Sequence, residues 1–168
     1  MEPQTKILFL CTGNSARSIM AEAIGNAYGI NKLDFKSAGS QPTGQVNPFC
    51  IKALKKRGIS NASLRSKSWN EFRNLSTDEN SWQPQIIVTL CSKASREECP
   101  LWLEKVPKVN WNLEDPAMHI NSQKDSQKAF EKLSDTLNLR FKFIKKNLAS
   151  KGSNNIESLF VQAAVSYE

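Results

Sequence analysis

Cys11 and Arg17 stand six positions apart and bracket the run "CTGNSARS". A thiolate is a strong nucleophile. A guanidinium grips a tetrahedral oxyanion through two parallel hydrogen bonds. Between the two lie Thr12, Gly13, Asn14, Ser15 and Ala16, all small or polar, and Ser18 follows directly. Gly13 and Asn14 tolerate left-handed backbone, which can turn successive N–H groups inward as an anion-binding nest. The chemistry this allows is attack by sulfur on a bound oxyanion, with Arg17 on the rim and Ser18 donating to the thiolate. The positive surroundings are expected to lower the thiol pKa of Cys11, so that the nucleophile is populated at neutral pH. The bland alternative is a polar loop beside a cysteine that only fills space.

Such a cup needs a strand before it and a helix after it. "KILFL", Lys6 to Leu10, is a short apolar run that reads as a buried strand. From Arg17 the period changes, and Met20, Ala23, Ile24, Ala27 and Tyr28 fall on one helical face that Gly29 can end. The helix start offers unpaired N–H groups and the positive end of its dipole to an anion. Further strands are expected at Asp34 to Gly39, Gln85 to Leu90 and Val106 to Trp111. A helix is expected after the capping Asn47 and Pro48, running to Gly58, and "SWNEFRNL" reads as a short helix. A long helix carries Phe130, Leu133, Leu137, Phe141, Ile144 and Leu148 three or four positions apart. Strands alternating with helices imply parallel strands joined by right-handed crossovers. The expected fold is therefore α/β: a three-layer sandwich with a small four-stranded parallel sheet and a phosphate-binding loop after strand one. Ligands of such sheets bind at the carboxyl ends of the strands. The expected domain spans residues 1–149. Residues 150–168 are left as a tail of unknown order, with a linker at Ser150 to Asn155 and an apolar last segment able to dock.

Two further groups fall on the same edge. Cys91 ends the strand at Leu90, and Asp115–Pro116 follows the strand at Trp111. Cys99 lies eight positions after Cys91, before Pro100. A helix from Cys91 to Cys99 would part their Cα atoms by roughly 12 Å at about 1.5 Å per residue, against about 5.5 Å in a disulfide. Any bond between them needs an irregular or unwinding segment. Cys50 reads as a packing residue on its helix. His119, the one histidine, is too isolated to assign. Trp69, Trp82, Trp102 and Trp111 read as core or groove walls.

The 168 residues favour one domain with a real core. A net charge of +7 suits oxyanions and acidic partners. The basic residues are scattered, as in "KALKKRG", "LRSKS" and "RFKFIKKN", without a nucleic-acid motif, so no nucleic-acid partner is expected. No run resembles a signal peptide or approaches the roughly 20 apolar residues of a membrane span, so a cytoplasmic protein with no membrane association is expected. Four cysteines in a reducing compartment argue against a disulfide framework and leave catalytic thiols or metal ligands open. No zinc motif is present.

"CTGNSARS" resembles the phosphate-binding loop of low-molecular-weight protein tyrosine phosphatases and of the arsenate reductases that share their fold. "IMAEA", "SAGSQPTGQVNP", "LRSKSW" and "VTLCSKASREECP" are similar to the reductase branch of the thioredoxin-coupled type. The resemblance spans roughly residues 5 to 148. It implies Cys11 as nucleophile, Arg17 as oxyanion clamp, Asn14 and Ser18 as loop supports, and residues 12–18 as the substrate cradle. Ala16 replaces a second loop cysteine that many members carry. The resemblance also implies a relay in which Cys91 attacks Cys11 and Cys99 then attacks Cys91. It implies Asp115 as general acid, with Glu114 the lesser candidate, arsenate or phosphate as the bound anion, and thioredoxin or glutaredoxin with glutathione as donor. Relatives can hold potassium through positions matching Asn14, Glu22 and Ser37. An aspartate of that site is replaced by Ser68 here, so no metal and no cofactor are expected. A monomer is expected. Two other readings stay open: a phosphatase using Cys11, Arg17 and Asp115 alone, and a non-enzymatic oxyanion-binding module. "DPAM" lacks the aromatic residues that usually follow Asp-Pro in the phosphatases.

Overall fold

The computed structural model describes residues 3–73, 81–92, 94, 100–118, 121–151 and 155–167. Four strands form one parallel sheet: β1 (Thr5–Cys11), β2 (Leu33–Gly39), β3 (Ile86–Thr89) and β4 (Lys108–Asn110). Their spatial order is β2-β1-β3-β4. The register pairs Phe9 with both Ser37 and Val88, and Val88 with Val109. The chain leaves β1 towards one side and returns to its other side at β3. The carboxyl end of β1 is thus the switch point where an open parallel sheet forms its ligand crevice.

Alternation along β1 feeds two cores. Ile7, Phe9 and Cys11 face the larger one, shared with helices α1 (Arg17–Ala27), α2 (Pro48–Lys56) and the long α4 (Gln123–Lys151). Phe9 meets Phe35, Trp111 and Phe141 at ring centroid distances of 5.7, 5.6 and 5.9 Å. Each such fully buried ring contributes roughly 1.5–3 kcal/mol relative to exposure. Leu8 and Leu10 face a smaller core with Ala38, Phe72, Ile87 and Leu103, flanked by Trp69, Trp82 and Trp102. That third layer is thin: a 3-10 turn (Trp69–Phe72) and the short α3 (Leu101–Glu104).

The local signals act as expected. Asn47 Oδ1 accepts from Phe49 N at 2.9 Å to cap α2, and Gly29 and Gly58 leave their helices at φ 57 and 70°. Two elements were not foreseen. One is α3. The other is α5 (Ile156–Ser166), which lies in the segment read as a tail and places Leu159, Phe160 and Ala163 in the main core. Helix α4 runs on to Lys151 because its apolar stripe continues to Leu148. No helix among the described residues is long and apolar enough to cross a membrane.

Candidate active site

Cys11 is the last residue of β1 rather than the first of the loop, paired with Gly39 of β2. The loop lies directly on that strand. A Cβ at position 39 would stand 2.5 Å from the Thr12 carbonyl oxygen and 3.0 Å from Asn14 Cβ, so glycine alone fits.

The loop's carbonyls are claimed by the scaffold. Thr12 O accepts from Gln41 N at 2.9 Å, Gly13 O from Thr43 N at 3.0 Å, Ser15 O from Asn47 N at 2.8 Å and Ala16 O from Met20 N at 2.8 Å. In a trans peptide the next residue's N–H points opposite to the carbonyl. The outward carbonyls therefore turn the N–H groups of Gly13, Asn14, Ala16 and Arg17 towards the cavity. Asn14 takes the left-handed φ of 42° that the tight reversal demands.

Beneath the loop is a buried polar chain. Asn14 Nδ2 donates to Ser18 Oγ at 2.9 Å and to Ser37 Oγ at 3.0 Å, and Asn14 Oδ1 accepts from Lys67 N at 2.8 Å. Ser18 Oγ lies 3.0 Å from Cys11 Sγ. Because that oxygen already accepts from Asn14, its hydroxyl hydrogen is available to the sulfur. Ser37 Oγ in turn donates to Glu22 Oε2. Asn14 and Ser18 are fully buried. They support the loop from behind, whereas Cys11, Thr12, Gly13, Ser15, Ala16 and Arg17 line an open cavity of about 680 Å³.

The opposite wall of that cavity carries Cys91, Leu113, Glu114 and Asp115. Leu90 N donates to Leu10 O at 2.8 Å, which brings Cys91 beside the end of β1. Cys91 Sγ accepts from Ala94 N at 3.2 Å and stands 4.0 Å from Thr12 Oγ1. Arg17 Nη2 donates to Asp115 Oδ2 at 3.0 Å and Nη1 donates to Leu113 O at 3.2 Å. Asp115 Oδ1 also accepts from Ala117 N at 2.9 Å, so the carboxylate is both clamp partner and turn cap. Cys99 and His119 lie outside the described residues.

Cys50 is fully buried under the loop, and its Sγ donates to Ala16 O at 3.8 Å. Burial, with the nearby Cys11 adding, pushes its thiol up to about 12, which keeps it protonated and inert at neutral pH.

Lys67 was missed. Within "LRSKSW" it reads as a surface base, yet it is 7 % exposed. Its Nζ donates to Glu22 Oε2 at 3.0 Å and to Ser37 Oγ and Arg65 O at 3.5 Å. A fixed cation therefore already holds Glu22 and Ser37. A potassium ion at Asn14, Glu22 and Ser37 would stand against this ammonium, so these residues do not fit one. The one cue in the sequence is a lysine next to the altered Ser68.

Residues 6–154 match the family described as low molecular weight phosphotyrosine protein phosphatase, and the chain belongs to it. It is 34 % identical over 136 residues to an arsenate reductase of Halalkalibacterium halodurans, covering 81 % of this chain and 91 % of the relative. Among solved structures, an arsenate reductase in the phosphate-binding state superposes with a TM-score of 0.65 at 23 % identity, covering 86 % of this chain and 98 % of the other. An arginine phosphatase from Geobacillus stearothermophilus gives 0.65 at 20 % identity, covering 91 % and 96 %. At those identities the two structures establish the shared fold.

Proposed function

We propose that this chain reduces arsenate to arsenite by a cysteine relay. The observation that carries the reading is the second thiol, Cys91, in the cavity that holds Cys11 and Arg17. The likeness to curated arsenate reductases supports it. Hydrolysis of a phosphate ester needs one thiolate and water. Reduction of As(V) needs two electrons, which a pair of thiols supplies by becoming a disulfide.

The N–H groups of residues 12–18 and the Arg17 guanidinium hold the arsenate oxygens. Binding draws Arg17 away from Asp115 towards the anion. The Cys11 thiolate, supported by the Ser18 hydroxyl, forms a sulfur–arsenic bond. Asp115, released from Arg17, takes a proton from the bound hydrogen arsenate and gives it to the departing oxygen, which leaves as water. The Cys91 thiolate then attacks Cys11 sulfur. The sulfur–arsenic bond breaks, its electron pair stays on arsenic as As(III), and a Cys11–Cys91 disulfide remains. Cys99 attacks Cys91 and releases Cys11 as thiolate. Thioredoxin, or glutaredoxin with glutathione, reduces the resulting Cys91–Cys99 disulfide. Recycling by such donors fits a reducing cytoplasm.

A second reading, hydrolysis of aryl phosphates through a Cys11 phosphoenzyme, is favoured by the presence of Cys11, Arg17 and Asp115 in one cavity. Cysteine variants separate the two. Cys11→Ser abolishes arsenate turnover and aryl phosphate hydrolysis alike. Cys91→Ser abolishes reduction and spares hydrolysis. Cys99→Ser completes one turnover and is not recycled by thioredoxin. Wild-type arsenate reduction by Cys91→Ser would end the relay reading. Unimpaired recycling of Cys99→Ser would move the donor to glutathione and glutaredoxin acting at Cys91.

A further inference from the structure

Asp115 stands at the end of a short segment that leaves the sheet at Trp111, and Trp111 is tied to a helix remote from the cavity. The Trp111 N–H donates to Thr89 O at 2.8 Å, which continues the β4 pairing. Its indole Nε1 donates to Phe160 O of α5 at 2.9 Å, and its ring stacks on Phe160 at 5.5 Å and 18°. Arg140 of α4, 2 % exposed, doubles this tie. One arm of its guanidinium, Nη1, donates to Trp111 O at 3.0 Å. The other, Nη2, donates to Tyr167 O at 3.0 Å and to Ala164 O at 3.4 Å. The guanidinium carbon lies 5.1 Å over the Trp111 ring.

A buried guanidinium is costly unless its donors are engaged. Here Nη1 meets the Trp111 carbonyl, and Nη2 meets carbonyls at the carboxyl end of α5, where helix carbonyls lack intrahelical partners and the dipole is negative. On the cavity side, Leu113 N donates to Leu90 O at 2.8 Å, Leu113 O accepts from Arg17, and Arg17 holds Asp115. Hydrogen bonds at Trp111 and at Leu113, joined by the covalent backbone of residues 111–113, thus link α5 to the acid. Between and beyond these anchors Leu113 and Pro116 are buried, and the remaining bonds are local turn contacts such as Asn112 N to Asn110 Oδ1 and Met118 N to Asp115 O. Asn112 sits at φ 36°, and Asn112, Glu114, Ala117 and Met118 are exposed. Helix α5 lies past residue 154, where the family match ends.

We infer that Arg140 and Trp111 are positioning residues that make α5 a strap on the acid-bearing segment 111–118. The inference rests on the proposed role of Asp115 as proton donor. The strap sets where that proton is delivered; the Trp111 ring also packs 5.6 Å from Phe9 of β1, a ring contact that Trp111→Phe preserves.

The test uses the full chain with Trp111→Phe, which removes one N–H and keeps a ring, and Arg140→Lys, which keeps the charge and loses the fork that reaches both sides. Amide exchange at Leu113, Ala117 and Met118 is expected to quicken roughly tenfold or more, while amides of β1 and α1 hold their rates. Hydrolysis of an aryl phosphate with a poor leaving group should fall roughly tenfold further than hydrolysis of one with a good leaving group, as in Asp115→Asn. Adding Trp111→Phe to Asp115→Asn should cost nothing more.

Unchanged exchange at 113–118, exchange that quickens equally across the chain, or losses that multiply with Asp115→Asn would each overturn the strap. If Asp115→Asn leaves turnover untouched, or the protein hydrolyses no aryl phosphate, the donor assignment is at fault. The localised exchange pattern then decides the strap by itself.

Discussion

The wall of the cavity that carries Cys11 is tied to the scaffold at the carbonyls of Thr12, Gly13, Ser15 and Ala16, whereas the wall that carries Asp115 is anchored at Trp111, Leu113 and the buried Pro116, with Asn112, Glu114, Ala117 and Met118 exposed. Behind the first wall Asn14, Ser18 and Ser37 are completely buried, and Asn14 donates to both serines. On the second, Met118 is 60 % exposed and the Asp115 side chain 33 %. The difference matches the roles proposed for the two walls. Stabilising an anion requires donors that do not reorganise as charge develops, so they must be fixed in advance. Delivering a proton, and bringing a second thiol to the first, requires groups that change partners between steps.

The firmest test of this contrast is the internal cation. Lys67→Met leaves the Glu22 carboxylate, its side chain 13 % exposed, without its ammonium, and breaking a buried pair costs up to about 3–5 kcal/mol. A large drop in the urea midpoint is expected, with most of it recovered in Lys67→Met/Glu22→Gln. Replacing sodium chloride by potassium chloride should leave the wild-type midpoint unmoved. A loss below about 1 kcal/mol would mean that the floor of the cup is not held by this pair.

Asn14 comes next. Asn14→Ala loses a residue suited to left-handed backbone and removes the bonds to Ser18, Ser37 and Lys67. Together these cost about 2–3 kcal/mol. Asn14→Gly keeps the conformation and should recover about 1 kcal/mol of it. Thermal melts measure both. In a Cys11→Ser background both should also weaken inorganic phosphate binding, because the amides behind the anion lose their support. Equal melts for Asn14→Ala and wild type would count against a preformed loop.

How much of this could be read from the sequence follows the range of each interaction. Strand β1 is a continuous apolar run, and the loop after it is defined by types that few other structures need, so Cys11 and Arg17 could be placed at a strand's carboxyl edge. Cys91 and Asp115 followed from the same rule applied to two more strands. Lys67 could not be placed, because its partner Glu22 lies 45 positions away and a lysine among serines looks like any solvated base. Arg140 is hidden in the basic run "RFKFIKKN" for the same reason: only the packing of α4 against α5 reveals that one of these cations is interior. The split between residues that line the cavity and those that brace it, Asn14 and Ser18, depends on side-chain direction, which spacing alone does not carry.

Cys50 sharpens the contrast from below the cup. Its thiol is raised from 9.0 to about 12 by burial, with Cys11 adding. The unfolded chain therefore ionises first. Between about pH 9 and pH 12 the folded state holds more protons than the unfolded one, and stability falls as pH rises. Below pH 9 the contribution is fully present. Relative to Cys50→Ala, wild type should lose about 1.4 kcal/mol between pH 8 and pH 10, read from urea unfolding under reducing conditions. A parallel course for the two proteins would mean that the space under Ala16 is open to water.

The smallest effect on stability should come from the other wall. Arg17 and Asp115 meet at 3.0 Å with side chains 16 % and 33 % exposed. Solvent screens such a pair, so Asp115→Asn should move stability by only about 0–1 kcal/mol. The asparagine oxygen can still accept from Ala117 N. Turnover should nonetheless fall about 10²–10⁴-fold, the usual contribution of a positioned acid. The separation of the two readouts is the point: a group on this wall matters to the reaction and little to the fold. A midpoint loss as large as that of Lys67→Met would show both walls to be built alike, and the division of labour between a fixed cup and an exchanging wall would fail with it.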